Sequence, residues 1–545
     1  MTWDRRRRNV RRLARIAEVA TRHGLGYFVQ TLDLGNLLPV PMRRQTFKRL
    51  PAEVAARNVR EMLEELGPTF VKIGQLLSIR PDLVPPELVF ELERLQDTVS
   101  PLPTTTIRQQ IERELGQPAD SVFARFDDEP IGSASIGQVH RAKLKEGPEV
   151  VVKVQRPEAQ ATVDADLDLL RILAQRARSR VAWIDITEVL DEFAASLGRE
   201  LDYRVEARHI ERFRHNFRDD PLIKVPLVFW KHTTRRVLVM EYVEGSKLSD
   251  LATPESLGID TYALAEHGAE AFMRQVLEFG FFHGDLHPAN ILVTPDGRIC
   301  YLDFGIVGEV SEANKAIITR MLVAIIRQDA EDVVRQAAAM GVEIPPEKLQ
   351  PMRQELKSIL YSYYGRTLGD IHIDILGREF LALLYRNHIR IPKDFALLAK
   401  ALITLEGVAK QLYPEFNILE VAKPYAERLL RERYPLEEGM RQALDEVKQS
   451  LLFLAQMPRQ MHEVLSMARA GQVSVRSRDI DRERLEERME LASSRIAFSV
   501  VFAAALLGLS ILASATEVLW FRATAAAVVV LLAFVWLAVM VIRRR

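Results

Sequence analysis

The sequence HGDLHPAN at positions 283–290, followed after a short apolar segment by DFG at 303–305, decides how the rest of the chain is interpreted. It places an asparagine five residues after one aspartate, and a second aspartate directly before a Phe-Gly pair. Phosphoryl transfer needs a carboxylate that orients or deprotonates the acceptor, and oxygen ligands for the Mg²⁺ ions that neutralise the phosphates. Asp285 is the candidate base, and Asn290 and Asp303 are the candidate metal ligands. A polar turn between buried strands would explain one aspartate, but not three groups at this spacing.

Protein kinases carry this spacing in their catalytic half, and their N-terminal half supplies a phosphate-binding loop and a lysine. The segment GSASIGQV at 132–139 fits the loop pattern G-x-G-x-x-G-x-V, except that Ala134 replaces the middle glycine. The Cβ of this alanine and its narrower backbone range limit how the loop can lie over phosphates. Lys153 ends a valine-rich run, at the position from which a kinase lysine reaches the α- and β-phosphates. The candidate nucleotide-binding residues are therefore Gly132, Ser133, Ala134, Ser135, Ile136, Gly137, Gln138, Val139 and Lys153.

The lysine of a kinase needs a carboxylate partner on the helix that follows its strand. The sequence offers three candidates, at Glu200, Asp202 and Glu206. Asp202 and Glu206 are four residues apart and share one helix face, whereas Glu200 points elsewhere. A solvated acidic face is the alternative interpretation of the same three residues.

The segment VMEYVEG at 239–245 is typical of a kinase hinge, in which the backbone at Glu241 and Val243 would hold adenine. Helical sequence begins within a few residues of DFG, and no Ala-Pro-Glu-like motif follows it. The chain therefore offers no long activation loop, which argues against a platform for docking peptide substrates.

Hydrophobic periodicity indicates the fold class. β-branched runs at 150–154 and 237–240 predict strands, and the charged segment at about 160–217 between them is typical of helix. A hairpin is predicted at 291–302, because Asp296-Gly297 is a strong turn signal. The sequence after the hairpin is again helical. A few strands with one helical segment, followed mostly by helices, predict an α+β, two-lobed protein-kinase-like fold.

We predict four regions along the chain. They are a helical N-terminal extension at 1–103, a kinase-like ATP-binding domain at 104–435, a helical linker at 436–495 and two transmembrane helices at 496–542.

The transmembrane hairpin is predicted from two uncharged segments, at 496–516 and 523–542. Each has about the length needed to cross ~30 Å of hydrocarbon. Arginines precede the first segment and follow the second, so the positive-inside rule places both flanks in the cytoplasm. We therefore expect a multi-pass protein of the inner, cytoplasmic membrane with a cytoplasmic kinase domain. The alternative is a buried helical hairpin in a soluble protein.

Composition limits the classes of partner. Lys and Arg total 74, as do Asp and Glu, so the formal net charge of zero gives no case for a nucleic-acid partner. Cys300 is the one cysteine, which excludes an internal disulfide and a cysteine-based zinc site.

From about residue 50 to 430 the sequence resembles the UbiB family, the AarF/ADCK atypical kinases. The resemblance rests on KIGQ at 72–75, which matches the KxGQ motif of the family, and on ASIGQVH at 134–140, which matches its alanine-rich loop. It rests also on ELD at 200–202, which matches the ExD motif, and on the motifs of Asp285 and Asp303. The chain departs from the family at Gly132, where the loop usually begins with alanine, and at Ala289, where glycine is more common.

The resemblance implies roles for several residues. Glu206 would be the ion-pair partner of Lys153. Lys72, within the motif that ends at Gln75, would lie over the active site and meet Glu200 and Asp202, where a protein substrate would otherwise dock. Those four residues would be regulatory, and ATP hydrolysis or a small lipid-like acceptor would be favoured over protein phosphorylation.

The resemblance also implies cofactors and partners. These are ATP with Mg²⁺, membrane lipid, prenylphenol precursors of a quinone and proteins of ubiquinone biosynthesis. Two other functions stay open at this stage. One is a small-molecule kinase of the aminoglycoside or choline type, which the hairpin and Lys72 argue against. The other is a pseudokinase scaffold that binds nucleotide to organise a membrane complex.

Overall fold

A computed structural model describes residues 3–31, 50–80, 82–95, 99–177, 186–250, 259–327, 329–342, 344, 346–362, 373–387 and 389–433. The chain divides into two compact units, Met1–Met440 and Arg441–Arg545, and every described residue belongs to the first. The linker predicted at 436–495 and the transmembrane hairpin predicted at 496–542 lie outside the described residues. Among the helices that are described, none is both long and apolar enough to cross a bilayer.

The described part of the N-terminal extension consists of helices. They are α1 (Trp3–Arg22), α2 (Gly26–Thr31), α3 (Ala52–Leu66), α4 (Pro68–Ser78) and α5 (Pro86–Leu92). Helices α3 and α4 meet at Gly67, whose φ of 101° favours glycine, and Pro68 begins the second helix. Gly74 lies so close to α3 that a Cβ would meet Leu63 at 2.9 Å. The KxGQ glycine therefore permits the close packing of two helices.

Ion pairs hold the basic first helix to its neighbours. The Arg12 guanidinium donates to the buried carboxylate of Asp166 at 2.9 and 3.1 Å, and Arg15 and Arg22 both pair with Glu65. These arginines are therefore part of the packing of the extension.

The N-terminal lobe is built on an antiparallel sheet of five strands, in the order β1-β3-β4-β6 with β2 paired to β3. Its strands are β1 (Phe123–Phe126), β2 (Gly132–Ser133), β3 (Gly137–Leu144), β4 (Glu149–Gln155) and, after β5 (Ile223–Lys224), β6 (Val237–Glu241). Helices α6 (Thr104–Leu115) and α7 (Ala119–Val122) precede it, and α8 (Ala159–Ala177), α9 (Ile186–Glu200) and α10 (Tyr203–Asn216) lie between β4 and β5.

Alternating side chains along strand β4 determine the face of the sheet on which Lys153 lies. Val150, Val152 and Val154 point to one face of the sheet and pack in a buried cluster with Ile107 of α6. The intervening residues, which include Lys153, point to the other face. The valine-rich run thus fixes the side of the sheet on which Lys153 lies.

The C-terminal lobe is mostly helical. It contains α11 (Thr261–Met273), α12 (Glu312–Ile326), α13 (Ala330–Ala339), α14 (Pro346–Ser362), α15 (Ile373–Arg386), α16 (Lys393–Leu412) and α17 (Ile418–Arg433). Short strands flank the loops that contain Asp285 and Asp303. They are β7 (Ser246–Lys247), β8 (Phe281–His283), β9 (Ile291–Val293), β10 (Ile299–Tyr301) and β11 (Val307–Glu309). The hairpin predicted at 291–302 is the antiparallel pair β9–β10, and Gly297 in its turn has a φ of 80°.

Two features of this lobe have no counterpart in the sequence analysis. Helix α11 continues as a π-helix over Arg274–Phe279, and β8 pairs with β11 on either side of the DFG segment. Strand β11 begins two residues after Gly305, and helix α12 begins at Glu312. The segment after DFG is therefore short, as the sequence indicated.

Candidate active site

Lys153 is the centre of the candidate site. Its Nζ atom lies 2.9 Å from both carboxylate oxygens of Glu206 on helix α10, and 3.3 Å from Oδ2 of Asp303. Glu206 is buried, whereas the side chain of Asp303 is 47% exposed. The structure thus brings together one residue from each of three segments that the sequence analysis singled out. Because the carboxylate of Asp303 is half-exposed, it has room for a further ligand.

The three groups set one another's protonation. Burial lowers the pKa of Lys153, but the charges of Asp303 and Glu206 outweigh it and hold that pKa well above its ordinary value. Burial raises the pKa of Glu206, and Lys153 offsets this only in part. Desolvation also raises the pKa of Asp303, but Lys153 and the backbone N–H of Gly305 outweigh it and hold the pKa below the usual range. Asp303 is therefore ionised at neutral pH, as a metal ligand must be.

Helix α10 is anchored to the DFG segment. The ring of Phe213 packs on that of Phe304 with centroids 5.1 Å apart, and Nδ1–H of His209 donates to the carbonyl of Phe304 at 2.8 Å. Because the helix that carries Glu206 touches the residue next to Asp303, the two carboxylates are positioned as one unit.

The candidate phosphate loop is a tight turn between β2 and β3. Ala134 N–H donates to the carbonyl of Gly137 at 2.8 Å, and Arg156 donates to the Ala134 carbonyl at 3.0 Å and to Ser133 Oγ at 3.0 Å. The side chain of Ile136 packs in a buried cluster with Ile73 of the KxGQ helix. The loop is therefore held by hydrogen bonds from Arg156 on one side and by the packing of Ile136 on the other.

Gly137 has a steric role. A Cβ at this position would overlap the hydroxyl of Tyr203 and lie 2.8 Å from the Val154 carbonyl oxygen. The Tyr203 ring lies 5.3 Å from Lys153 Nζ, in a cation–π contact. The last glycine of the loop thus allows an aromatic wall to approach the lysine.

The catalytic loop orders Asp285 and Asn290. The side-chain amide of Asn290 donates to Oδ2 of Asp285 at 2.8 Å, which leaves the amide oxygen for a metal ion. Asp285 N–H donates to Nδ1 of buried His283 at 3.1 Å, and Nε2–H of His283 donates to the carbonyl of Asp303. Burial lowers the pKa of His283, in keeping with a neutral ring that accepts on one side and donates on the other. One histidine therefore joins both catalytic segments.

Buried Gln275 supports that histidine from the π-helix. Its Oε1 accepts from the backbone N–H of His283 at 2.9 Å, and its Nε2 lies 3.3 Å from the hydroxyl of Tyr301. π-Helical turns occur often at functional sites because they turn one extra side chain inward.

The residues present fit Mg²⁺ bound together with phosphates. In the described ranges, no group of three or more His, Cys, Asp or Glu side chains is arranged to hold a metal ion alone. Mg²⁺ commonly takes one or two protein oxygens and completes its shell with water and phosphate. Asp303 and Asn290 would supply those oxygens.

The hinge is partly occupied by its own hydrogen bonds. Glu241 N–H donates to the Leu227 carbonyl at 2.8 Å, and the Glu241 carboxylate accepts from Lys224 Nζ at 2.7 Å and from Leu227 N–H at 3.1 Å. No backbone hydrogen bond from Val243 to another described residue is present. Adenine would therefore use the carbonyl of Glu241 and the N–H of Val243.

The KxGQ helix covers the site. Lys72 Nζ lies 2.5 Å from Oε1 of Glu200, and both line a cavity of about 70 Å³ together with Lys153 and Asp303. Gln75 is turned away from this cavity and donates to the carbonyl of Leu95 at 3.3 Å.

Asp202 is the N-cap of helix α10. Its carboxylate accepts from the backbone N–H of Arg204 at 3.1 Å and from the guanidinium of the same residue at 2.9 and 2.7 Å. Of the two ExD carboxylates, Glu200 therefore pairs with Lys72, while Asp202 begins the helix that carries Glu206.

Sequence reasoning missed several residues that shape the site. Arg156 stands three residues after Lys153, and its role depends on a folded loop that periodicity does not predict. Tyr203 adjoins the ExD motif and could have been noted as an aromatic beside a cationic site. Gln275 left no signal, because one polar residue in an apolar helical run has no special pattern.

Comparison with known proteins identifies the family. One family model, the ABC1 atypical kinase-like domain, matches residues 94–337, and a second, the UbiB helical domain, matches residues 356–417. A probable protein kinase UbiB of Pseudomonas aeruginosa is 35% identical over 479 residues, which are 85% of this chain and 89% of that protein.

Two further relatives come from Arabidopsis thaliana and Synechocystis. Protein ACTIVITY OF BC1 COMPLEX KINASE 1, chloroplastic, of Arabidopsis thaliana is 39% identical over 395 residues, which are 71% of this chain and 58% of that protein. An uncharacterized Synechocystis protein, slr1919, is 36% identical over 419 residues, which are 76% of this chain and 73% of that protein. The expected kinase-like α+β fold is confirmed, and the chain belongs to the UbiB family of ABC1 atypical kinase-like proteins.

Proposed function

We propose that this chain is a membrane-anchored atypical kinase or ATPase that binds Mg-ATP and supports the biosynthesis of ubiquinone or a related prenylquinone. The observation that carries the nucleotide part is the contact of Lys153 with Glu206 at 2.9 Å and with Asp303 at 3.3 Å. This arrangement presents a cation to phosphate oxygens and a half-exposed carboxylate to a metal ion.

Each residue has a task in that proposal. Lys153, held by Glu206, would bind the α- and β-phosphates. Asp303 and Asn290 would hold Mg²⁺, which supplies positive charge to neutralise the phosphates. Asp285, oriented by Asn290 and His283, takes the proton of the acceptor hydroxyl or of water. The loop at 132–139 encloses the phosphates with its backbone.

The covered site favours a small acceptor. The Lys72–Glu200 pair closes the cavity that contains Lys153, and the segment after DFG is too short to form a peptide platform. Water or a small, lipid-like phenol therefore suits the site better than a protein side chain. Proteins of quinone biosynthesis are proposed as partners on the basis of the family.

The membrane part of the proposal rests on the sequence at 496–542. Two uncharged segments with arginine-rich outer flanks support a multi-pass anchor in the cytoplasmic membrane. Fractionated cells test it. The full chain should stay in the membrane fraction after a wash in alkaline carbonate, and release by that wash would show peripheral attachment instead.

Mg²⁺-dependent ATP hydrolysis by the full chain tests the catalytic part. We expect phosphate release that anionic liposomes and a phenolic quinone-precursor analogue stimulate. Asp303→Asn should lower kcat by at least about 100-fold, because one preorganised group that stabilises developing charge contributes on that scale. Asp219→Asn is the matched control, since Asp219 is 84% exposed and pairs with exposed Arg218. Binding of nucleotide without turnover under all these conditions would favour the scaffold function.

A further inference from the structure

A second and larger cavity lies beside the active site. It measures about 360 Å³ and is enclosed by the end of helix α4, by helix α9, by the segment after Asp303 and by the start of helix α16. Arg199 and Gly305 line both this cavity and the one that contains Lys153. A molecule in the larger cavity would therefore lie next to the phosphate site.

The carboxylates around this cavity already have partners. Glu192 accepts from the Arg80 guanidinium at 2.7 Å, and Glu309 pairs with Arg212. Partial burial raises the pKa of the Asp394 carboxyl, which disfavours its charged form. Most of the negative charge on the cavity wall is therefore already paired or suppressed within the protein.

Two cations on the cavity wall, Arg199 and Lys393, have no comparably close carboxylate partner in the described part of the chain. The guanidinium of Arg199 makes no hydrogen bond or ion pair with any residue that the structure describes. The Nζ atom of Lys393 lies 4.0 Å from Glu192, which already binds Arg80. Burial and the charge of Arg199 lower the pKa of Lys393, as expected for two neighbouring cations without a shared counter-ion. An anion between them would relieve this repulsion.

The rest of the wall is apolar and the volume is limited. Leu76, Phe193, Ile306 and Leu397 supply hydrocarbon surface on different sides. A volume of about 360 Å³ is at the lower end of the ~300–1,000 Å³ of small-molecule pockets. A folded peptide segment or a long polyprenyl chain would not fit inside.

We propose that this cavity binds a small amphiphilic anion, whose phosphate or carboxylate is held between Arg199 and Lys393 and whose short apolar body lies against Leu76, Phe193 and Leu397. The site is distinct from the nucleotide site, and its occupancy does not depend on ATP or on turnover. Through Arg199 and Gly305 it adjoins the groups that would bind the phosphates.

Titration calorimetry of the full chain in nonionic detergent tests the proposal, with no nucleotide present. The probe is octyl phosphate below its micelle concentration, and octanol and inorganic phosphate are the comparison ligands. We expect saturable binding of one octyl phosphate per chain, which separates a site from partitioning into detergent. Binding of octanol or of inorganic phosphate as tight as that of octyl phosphate would overturn the proposal, because each lacks one half of the recognised structure.

Two variants locate the site. Arg199→Gln with Lys393→Gln should weaken octyl phosphate binding by at least about tenfold, the loss expected for charge-assisted hydrogen bonds. Ser196→Phe places a ring in the cavity and retains both cations, and it should abolish saturable binding even if the double variant folds poorly. Arg218→Gln, on a surface arginine that is 66% exposed, should bind like the wild type. Wild-type affinity in Ser196→Phe would show that the ligand binds elsewhere.

Discussion

The two cavities that share Arg199 and Gly305 differ in how their charges are matched. In the cavity of about 70 Å³, Lys153 has two carboxylate partners within 3.3 Å. In the cavity of about 360 Å³, the carboxylate nearest to Lys393 is 4.0 Å away and binds another cation. The difference shows that a partly buried lysine can either be paired with carboxylates of the fold or remain available to a ligand. Substitutions at the two lysines should therefore have very different costs.

Lys153→Met is expected to have the largest effect on stability. It leaves buried Glu206 without its counter-ion, and breaking a buried pair in this way costs about 3 kcal/mol. Chemical unfolding of the variant and the wild type at pH 7 measures the difference. A cost below about 1 kcal/mol would mean that Glu206 is protonated in the wild type as well.

The same pair of proteins gives a pH dependence. The folded pKa of Asp303 lies below its ordinary value because of Lys153, so this group stabilises the fold above its unfolded pKa and ceases to do so as the pH falls through the folded pKa. Acid also protonates Glu206, whose pKa is raised. The cost of Lys153→Met should therefore shrink as the pH falls below about 4. A cost that is constant from pH 7 to pH 3 would contradict this assignment of charges.

Gly137→Ala tests how closely Tyr203 and Val154 pack against the loop beside the smaller cavity. The new Cβ would overlap the Tyr203 hydroxyl and approach the Val154 carbonyl oxygen to 2.8 Å, and overpacking of this kind costs about 2 kcal/mol. Tyr203→Phe in the same chain removes the hydroxyl and should recover part of the lost unfolding free energy, because the backbone contact remains. Gly198→Ala is the control, since nothing lies within 4 Å of a Cβ there.

Glu200→Gln tests the cover over the smaller cavity. The Lys72–Glu200 pair is partly exposed, so its loss should lower the unfolding free energy by about 1 kcal/mol or less. The association rate of a fluorescent ATP analogue, measured by stopped flow, should rise several-fold because the cover opens more readily. Glu211→Gln, which breaks a surface pair with Arg214, should leave that rate unchanged.

Lys393→Met is expected to have the smallest effect on stability. Burial and Arg199 already disfavour the charged form of Lys393, and this residue begins helix α16, where the helix dipole also disfavours a cation. The unfolding free energy should change by less than about 0.5 kcal/mol, in either direction. A cost similar to that of Lys153→Met would show that the two lysines do not differ as described.

The sequence was most informative where function depends on local spacing. The two aspartate motifs, the loop at 132–139 and the valine-rich run before Lys153 each lie within a few residues of chain, so their geometry follows from turns and strands that sequence patterns predict. The partner of Lys153 was harder to predict, because spacing placed Asp202 and Glu206 on one helix face and did not choose between them. Only the resemblance to the UbiB family implied Glu206. In the structure Glu206 pairs with Lys153, and Asp202 caps the N-terminus of helix α10.

Other parts of the site depend on distant packing and could not be predicted. The π-helix that turns Gln275 inward, the hold of Arg156 on the loop and the pairing of β8 with β11 each join segments without a shared pattern. The larger cavity is the clearest example, because its walls come from helices α4, α9 and α16 and from the DFG segment. No property of Arg199 or Lys393 in the sequence shows that they face the same space.

The contact between the KxGQ helix and the C-terminal lobe also affects how the protein is made. Lys400 Nζ donates to Ser78 Oγ at 3.1 Å, across 322 residues of sequence. Synthesis at ~5–20 residues per second separates the two partners by at least about sixteen seconds. During that interval the end of helix α4 has no C-terminal lobe to pack against, and Ile79 lacks the partners with which it forms a buried cluster. The contact between the KxGQ helix and the C-terminal lobe therefore forms only after the N-terminal helices have been synthesised.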